Sequence, residues 1–197
     1  SGGADNDYLD GDAGNDLVDG GTGNDIVQGG DGDDMVYGGA GNDKLEGEGG
    51  YDLLVGGAGD DSLFGGSGVD ILYGGTGNDQ LSGGDDVDTF VWSNGDEGTE
   101  ATPAGDVIND FTVGVGGDVL DLADILQGEN TGNRIDYLHF ESDGNGGTII
   151  IVDTDGGGTF AETPTITLTG VDLTAGGTFT DQNILDNLLA DGNLIVD

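Results

Sequence analysis

Apolar and polar positions in the first half of the chain repeat every nine residues. Ten copies run from Gly2 to Val91 without a change of register, and the copy at residues 20–28 reads Gly-Gly-Thr-Gly-Asn-Asp-Ile-Val-Gln. The eighth place of every copy is apolar: Leu9, Val18, Val27, Val36, Leu45, Leu54, Leu63, Leu72, Leu81 and Phe90. The sixth place is always aspartate: Asp7, Asp16, Asp25, Asp34, Asp43, Asp52, Asp61, Asp70, Asp79 and Asp88. Places seven to nine of each copy predict a short strand whose eighth-place side chain points inward. The glycine-rich places one to six predict a tight turn.

The residues on either side of the inward place show a second period of eighteen. In even-numbered copies they are mostly apolar: Leu17, Met35, Tyr37, Leu53, Val55, Ile71, Tyr73 and Val91. In odd-numbered copies they are mostly polar: Asp10, Gln28, Lys44, Glu46, Ser62, Gln80 and Ser82. Two repeats per coil would place the odd strands in one sheet and the even strands in another. We therefore predict an all-β fold, a parallel β-roll (β-helix) of about five two-repeat coils and roughly 24 Å in length, with a solvent-exposed odd face and a covered even face.

The turns offer only hard oxygen ligands. Glycine reaches positive φ without penalty, so turn carbonyls can point inward beside one aspartate carboxylate per copy. Such a set suits Ca²⁺, which takes about 6–8 oxygens, and does not suit zinc or copper. The turns of copies n and n+2 stack on the same edge, which allows four ions per edge and up to about eight Ca²⁺ in all. Without calcium we expect repulsion between carboxylates and a disordered repeat array.

Some copies depart from the pattern. Asp5 and Asp86 replace the fourth-place glycine in the first and last copies, and Asp12 and Glu48 replace a second-place glycine. We expect the sites at the ends of the array to be the weakest.

The nonapeptide resembles the RTX (repeats-in-toxin) calcium-binding repeat, which is described as a parallel β-helix. In that family each ion takes sixth-place carboxylates from copies n and n+2 together with turn carbonyls. The resemblance implies carbonyl ligands at these glycines: Gly21, Gly23, Gly30, Gly32, Gly39, Gly41, Gly57, Gly59, Gly66, Gly68, Gly75 and Gly77. The simpler alternative, a flexible acidic linker, does not explain why all ten copies have aspartate at the sixth place and an apolar residue at the eighth.

Composition narrows the classes of partner. The 197 residues include 41 acidic ones against two basic ones, Lys44 and Arg134, for a formal net charge of −39. This charge excludes nucleic acid as a plausible partner, because phosphate binding needs clustered lysine and arginine, and it argues against anionic membrane surfaces. The chain has no cysteine and no apolar run long enough to span a membrane. Its first residues, Ser1 to Asp5, do not resemble a signal peptide. A start inside a repeat suggests a piece of a longer protein, and we expect a monomer.

Glycine becomes less frequent after Val91, so we divide the chain into a β-roll at residues 1–92 and a C-terminal region at residues 93–197. The second region predicts a small, mainly β capping region with one or two short helices. Strands are expected near residues 107–111, 119–122, 135–141, 148–153, 165–169 and 194–196. A helix is expected to begin after Thr180 and to end at Gly192. We expect the strands at 107–122 and this helix either to pack on the even face or to cap the end of the roll.

The C-terminal region resembles the type I secretion target domain that ends giant RTX adhesins of Gram-negative bacteria. The segments that carry this resemblance are residues 105–111 (Gly-Asp-Val-Ile-Asn-Asp-Phe), 117–122 (Gly-Asp-Val-Leu-Asp-Leu) and 191–197 (Asp-Gly-Asn-Leu-Ile-Val-Asp). The resemblance implies export through an ABC transporter, a membrane fusion protein and a TolC-like channel, to the cell surface or the medium. It places an uncleaved export signal in the closing residues Asn193, Leu194, Ile195, Val196 and Asp197.

Six aspartates outside the repeats are candidate ligands for additional metal: Asp106, Asp110, Asp118, Asp143, Asp153 and Asp155. The first three are equally well interpreted as acids at strand ends, and the last three as acids of ordinary hairpin turns that do not complete an EF-hand pattern. His139 and Ser142 lie near acids, but the chain has no nucleophile-elbow motif, so we interpret both as structural.

Three functions compete. The leading one is a calcium-dependent folding and type I secretion module of a large extracellular adhesin, with no catalysis of its own. The second is the C-terminal module of a secreted protease, lipase or epimerase whose catalytic part lies upstream. The third, an ice-binding or surface-binding roll, would need a row of like residues at the third place, where only Thr22 and Thr76 are threonine.

Overall fold

A computed structural model describes residues 1–96, 98–99, 102–126, 137–153, 164–175 and 177–196. The strands of the repeats are β1 (Tyr8–Asp10), β2 (Leu17–Thr22), β3 (Ile26–Asp31), β4 (Met35–Ala40), β5 (Lys44–Gly49), β6 (Leu53–Ala58), β7 (Ser62–Ser67), β8 (Ile71–Thr76), β9 (Gln80–Asp85) and β10 (Thr89–Val91). The C-terminal region contains β11 (Gly98–Thr99), β12 (Thr102–Pro103), β13 (Gly105–Ile108), β14 (Val119–Asp121), β15 (Leu138–Ser142), β16 (Thr148–Val152), β17 (Thr165–Leu168), α1 (Asp181–Asp191) and β18 (Leu194–Ile195).

The repeats form a parallel β-roll of about five coils, as predicted. The odd strands β1, β3, β5, β7 and β9 pair in one sheet, and the even strands β2, β4, β6, β8 and β10 pair in the other. Each residue pairs with the residue eighteen positions later, as in Val27 with Leu45 and Leu54 with Leu72. The eighth-place side chains of the two sheets meet between them, and those from Val27 to Phe90 are almost entirely buried. Each strand of the roll therefore contributes one side chain to the core.

The strands are longer than the three residues expected from the pattern. Most have six residues, because the first three places of the next copy, which begin with glycine, continue the strand. Gly21 pairs with Gly39, and Gly39 pairs with Gly57. Without side chains to separate them, these glycines let adjacent coils pair directly beside the turn.

The C-terminal region continues both sheets past the last repeat. Strand β13 pairs with β9 and extends the odd sheet through β17, β16 and β15, while β14 pairs with β10 and extends the even sheet to β18. The ends of a roll present unpaired backbone groups, and added strands satisfy them. The prediction that this region caps the end of the roll is confirmed. The boundary at residue 92 stays a prediction, since the sheets run across it.

The even face is open. Leu17 exposes 69% of its surface, Met35 50% and Ile71 40%. The expectation that this face is covered is therefore wrong: the C-terminal strands extend the ladder of backbone hydrogen bonds instead of forming a layer over the sheet.

Helix α1 has the ends expected from the sequence. The Thr180 side chain accepts a hydrogen bond from the Asn183 amide, the Asn183 side chain binds back to the Thr180 amide, and Gly192 ends the helix with φ 81°. Ile184, Leu185 and Leu188 are buried against the core, and Leu189 is half-buried. Among the described residues, this is the one α-helix, and no helix has the length and apolar character needed to cross a bilayer.

Candidate metal centre

The sixth-place aspartates form two ladders, one along each edge of the roll. In the eight copies from Asp25 to Asp88, one carboxylate oxygen, Oδ1, accepts a hydrogen bond from the backbone amide of the aspartate eighteen residues earlier. The Asp25 amide donates to Asp43 at 2.7 Å, and the Asp61 amide donates to Asp79 at 2.8 Å. The period of two repeats per coil thus places the side chain of one copy against the backbone of the copy two earlier.

The second oxygen of these carboxylates has no hydrogen-bond donor within the described part of the chain. It is buried and unpartnered in nine of the ten copies: Asp7, Asp25, Asp34, Asp43, Asp52, Asp61, Asp70, Asp79 and Asp88. The exception is Asp16 of the second copy, which is partly exposed. A buried carboxylate oxygen without a partner carries a large desolvation cost, so it requires either a proton or a cation.

The turn glycines direct their carbonyl oxygens toward the next coil. A Cβ at Gly41 would collide with the carbonyl of Gly23, and a Cβ at Gly59 with the carbonyl of Gly41. The second-place glycines behave likewise, since a Cβ at Gly39 would meet the carbonyl of Gly21. Gly41 and Gly59 have φ 128° and 130°, which L-residues with side chains rarely adopt. Glycine is therefore required both for the turn and for the close approach of backbone oxygens between coils.

Burial and mutual repulsion raise the pKa values of the central carboxylates. Burial is the main cause for Asp61, Asp79 and Asp88, whose pKa values rise to about 7, and neighbouring aspartates of the same ladder add to it. The pKa of Asp52 rises to about 6 for the same reasons. Without a cation, the folded roll holds carboxyl groups that resist ionisation at neutral pH.

This donor set fits calcium. No group of three or more carboxylate, histidine or cysteine side chains converges in the described residues, so a bound ion must take much of its coordination from backbone carbonyls. Repeat carboxylates and glycine carbonyls together supply oxygen only, the preference of Ca²⁺. The assignment of individual aspartates and glycines as ligands stays a prediction.

Three turns hold an acidic residue where glycine is usual. Asp12, Glu48 and Asp86 have φ 67°, 75° and 78°, the left-handed region that is strained for residues with a Cβ. Two of them, Asp12 and Asp86, lie in the first two copies or the last, where the sequence predicts the weakest sites.

The repeats match a known family. Residues 1–27, 19–54, 37–72 and 64–96 each match the model of the RTX calcium-binding nonapeptide repeat. Residues 1–96 are RTX calcium-binding repeats. The RTX roll and its cap also resemble two solution structures, the AlgE6R2 and AlgE6R3 subunits of the Azotobacter vinelandii mannuronan C5-epimerase. The first is 23% identical, covers 94% of this chain and 92% of that chain, and has a TM-score of 0.40. The second is 22% identical, covers 99% and 80%, and has a TM-score of 0.38. A search of curated proteins finds no match.

The structure gives three of the additional candidate ligands other partners. Asp106 and Asp118 end the two RTX carboxylate ladders, and both oxygens of each accept hydrogen bonds from protein donors. Asp110 lies beyond the last odd turn, where its oxygens accept hydrogen bonds from the amides of Gly83 and Gly84 at 3.1 Å. These carboxylates end the roll by satisfying its last backbone amides.

Asp143 lies in the turn between β15 and β16, and Asp153 directly follows β16. The Asp143 side chain accepts hydrogen bonds from the Asn145 and Gly147 amides at 2.6 and 2.8 Å, as an ordinary turn acid does. Asp153 is buried, and its amide donates to the carbonyl of Tyr137. Asp155 lies outside the described residues.

His139 and Ser142 have separate contacts. The ring nitrogens of His139 lie 2.6 Å from Asp181 and 3.1 Å from Glu141, while the Ser142 hydroxyl accepts a hydrogen bond from the Gly144 amide. Burial lowers the pKa of His139, but the two carboxylates outweigh it and raise the pKa overall. His139 thereby ties strand β15 to the first turn of helix α1.

The fifth place of the RTX repeat forms a further series of hydrogen bonds between coils, which was not predicted from the sequence. The Asn24 amide donates to Asn6 Oδ1, the Asn42 amide to Asn24 Oδ1 and the Gly105 amide to Asn78 Oδ1. The signal was present, because most copies have asparagine or aspartate at this place. These side chains link successive turns that contain the candidate metal ligands.

Proposed function

We propose that this chain is a calcium-dependent folding and type I secretion module at the C-terminus of a large extracellular adhesin. The observation that supports it best is the row of buried carboxylate oxygens without described donors, in a roll whose turn glycines direct their carbonyls toward the next coil. The described repeat strands pair through their backbones, while these carboxylate oxygens lack a donor, and a bound cation would supply the missing partner.

Bound calcium would supply the positive charge that lets adjacent carboxylates remain ionised and buried. Extracellular calcium modules bind with dissociation constants of about 10⁻⁴ to 10⁻³ M. Cytosolic calcium would therefore leave the repeats unliganded, and the acidic, glycine-rich chain would stay unfolded before export. Outside the cell, the free energy of binding becomes free energy of folding. An unfolded chain fits a narrow channel, and a folded roll does not.

The proposed export partners are an ABC transporter, a membrane fusion protein and a TolC-like outer-membrane channel. The proposed signal, residues 193–197, includes Asn193, Leu194 and Val196, which are buried in the folded chain; Asp197 lies outside the described residues. Strand β18 pairs with β14. If these side chains are read by the transporter, they must be read before β18 joins the even sheet, which agrees with export of the unfolded chain.

The experiment separates the signal from the fold. Leu194 and Leu120 are neighbours in β18 and β14, and both are buried. We expect Leu194→Asp to reduce the amount of chain that reaches the medium in cells with a type I system, and Leu120→Asp to leave it unchanged although it damages folding as much. Equal export of the two variants would contradict the position of the signal. Equal translocation rates of the unaltered chain with and without external calcium would contradict calcium-driven folding as an aid to export.

The module has no catalytic role in this proposal, since the described contacts of His139 are with carboxylates of β15 and α1. The second candidate, the C-terminal module of a secreted enzyme, uses the same calcium chemistry in the same residues. The identity of any domain encoded upstream of Ser1 would distinguish an adhesin from an enzyme.

A further inference from the structure

The last carboxylate of each ladder has different hydrogen-bond partners from the carboxylates within the repeats. From Asp25 to Asp88, Oδ1 of each repeat aspartate accepts a hydrogen bond from a backbone amide, and Oδ2 has no donor among the described residues. Asp106 and Asp118 take the same place in the next coil, because their Oδ1 atoms accept the amides of Asp79 and Asp88 at 2.9 and 3.0 Å. Their second oxygens, however, are bonded to the protein.

On the odd edge the donor is an indole. Trp92 Nε1 lies 2.7 Å from Asp106 Oδ2, and both residues are buried, with 5% and 2% of their surface exposed. An indole N–H only donates and cannot bind a cation. Its hydrogen lies on the oxygen that in the repeats has no partner, so the Trp92 side chain occupies the place that a cation would take at this carboxylate.

On the even edge the donors come from the turn between β13 and β14. The Thr112 amide and hydroxyl lie 2.8 and 3.0 Å from Asp118 Oδ2. Asn193 holds this turn in place: its side-chain amide donates to the Asp118 carbonyl at 2.7 Å, and its Oδ1 accepts the Gly114 amide at 2.8 Å. A different set of groups, from a different part of the chain, therefore produces the same result on the second edge.

We propose that Trp92 and Thr112 replace the metal at the last carboxylate of each edge, so that Asp106 and Asp118 bind no ion and the calcium array ends at Asp79 and Asp88. This inference rests on the proposed calcium binding by the repeats. The structural advantage is that each ladder ends on a carboxylate whose charge is compensated by hydrogen bonds alone. The last repeat thus pairs with a neighbour that is complete without calcium.

The test counts calcium ions per intact chain by equilibrium dialysis and native mass spectrometry. We expect Asp106→Asn and Asp118→Asn to keep the ion count of the unaltered chain, while the matched variants Asp79→Asn and Asp88→Asn each lose at least one ion. Loss of an ion in Asp106→Asn or Asp118→Asn overturns the proposal. An unchanged count in Asp79→Asn or Asp88→Asn would instead contradict calcium binding by the repeats, so the two failures are distinguishable.

A second measurement does not depend on whether those variants fold. Trp92 is the single tryptophan of the chain, so its indole N–H gives one NMR signal. In the calcium-loaded protein we expect this signal to be displaced by the carboxylate and to exchange with deuterium at least 100-fold more slowly than free indole. Exchange at the rate of free indole would show that Trp92 does not donate to Asp106, and would overturn the assignment on the odd edge.

A double-mutant cycle completes the test. Trp92→Phe leaves the Asp106 carboxylate buried without its donor, so Asp106→Asn should shift the urea midpoint less in the Trp92→Phe background than in the unaltered chain. Equal shifts in both backgrounds would contradict a direct coupling between the two side chains.

Discussion

The roll and its cap satisfy buried carboxylates by opposite means. In the roll, the aspartates from Asp25 to Asp88 are buried and leave one oxygen each without a described donor. In the cap, Asp106 and Asp118 take the equivalent positions, but their second oxygens accept hydrogen bonds from indole, amide and hydroxyl groups. We infer that the carboxylates of the roll depend on a bound cation, whereas Asp106 and Asp118 are compensated by donors of the protein itself.

The hydrophobic core of the roll is also narrower than that of the cap. The roll buries one side chain per strand in a single column, from Val18 to Phe90. The cap adds an antiparallel sheet of β15, β16 and β17 and buries one face of α1 against the core. A narrow core offsets little of the conformational entropy of a glycine-rich chain. We infer that stability without calcium is concentrated in the cap.

The largest effect is expected on removal of calcium. In EGTA, we expect amides of β2–β9 to lose protection from hydrogen exchange, because ionised carboxylates would repel one another along both edges. Amides of β15–β17 should keep their protection. Simultaneous loss of protection in both regions would show one cooperative unit and break the comparison.

Acidification should partly reverse that loss. The folded pKa values of Asp61, Asp79 and Asp88 rise to about 7, above the value of 3.8 for an unperturbed aspartate. Between these values the folded state binds more protons than the unfolded state, so stability without calcium increases as pH falls from about 8 to about 5. Circular dichroism in EGTA should show strand content returning over this range.

The control for the acid effect is the protein in saturating calcium. There, protons compete with the ion for the same oxygens, so acidification should weaken calcium binding. Strand content in EGTA that stays flat or falls between pH 8 and pH 5 would contradict protonation as a substitute for the cation.

A smaller effect is expected from a single turn glycine. Gly41→Ala places a Cβ against the Gly23 carbonyl at φ 128°, whereas Gly146→Ala has φ 94° with open space around its Cβ. We expect about 3 kcal/mol or more of destabilisation at Gly41 and about 1–2 kcal/mol at Gly146, the strain common to both. Urea unfolding in saturating calcium measures both, and equal losses would mean that the coils are not held in contact at this turn.

The smallest effect is expected on the even face. Ile71 is 40% exposed, and its neighbour Leu72 is fully buried in the column. Ile71→Asp should cost about 1 kcal/mol, and Leu72→Asp more than about 3 kcal/mol. If thermal unfolding shows equal losses, something covers Ile71 in solution, and the even face is not the open surface described above.

The pattern of the repeats was enough to predict the roll. The nine-residue period fixes which side chain points inward, and the eighteen-residue period fixes two repeats per coil; the pairing of Val27 with Leu45 confirms both. Capping by Thr180 and Gly192 was also predictable, because it depends only on neighbouring residues. Local and periodic interactions can be read from a sequence because the contacting residues lie at fixed separations.

The ends of the roll were decided by tertiary structure. Nothing in the spacing of Trp92 and Asp106, or of Asn193 and Asp118, shows that these residues meet, since each pair is joined by a loop or by strands of irregular length. The same holds for the even face, where apolar residues predicted a cover that the fold does not provide. By itself the sequence determined which groups repeat along the roll, because a constant eighteen-residue period places equivalent residues of successive coils beside one another. Only the three-dimensional fold determined which group occupies the last position of each ladder, because that depends on where non-repeating segments return in space.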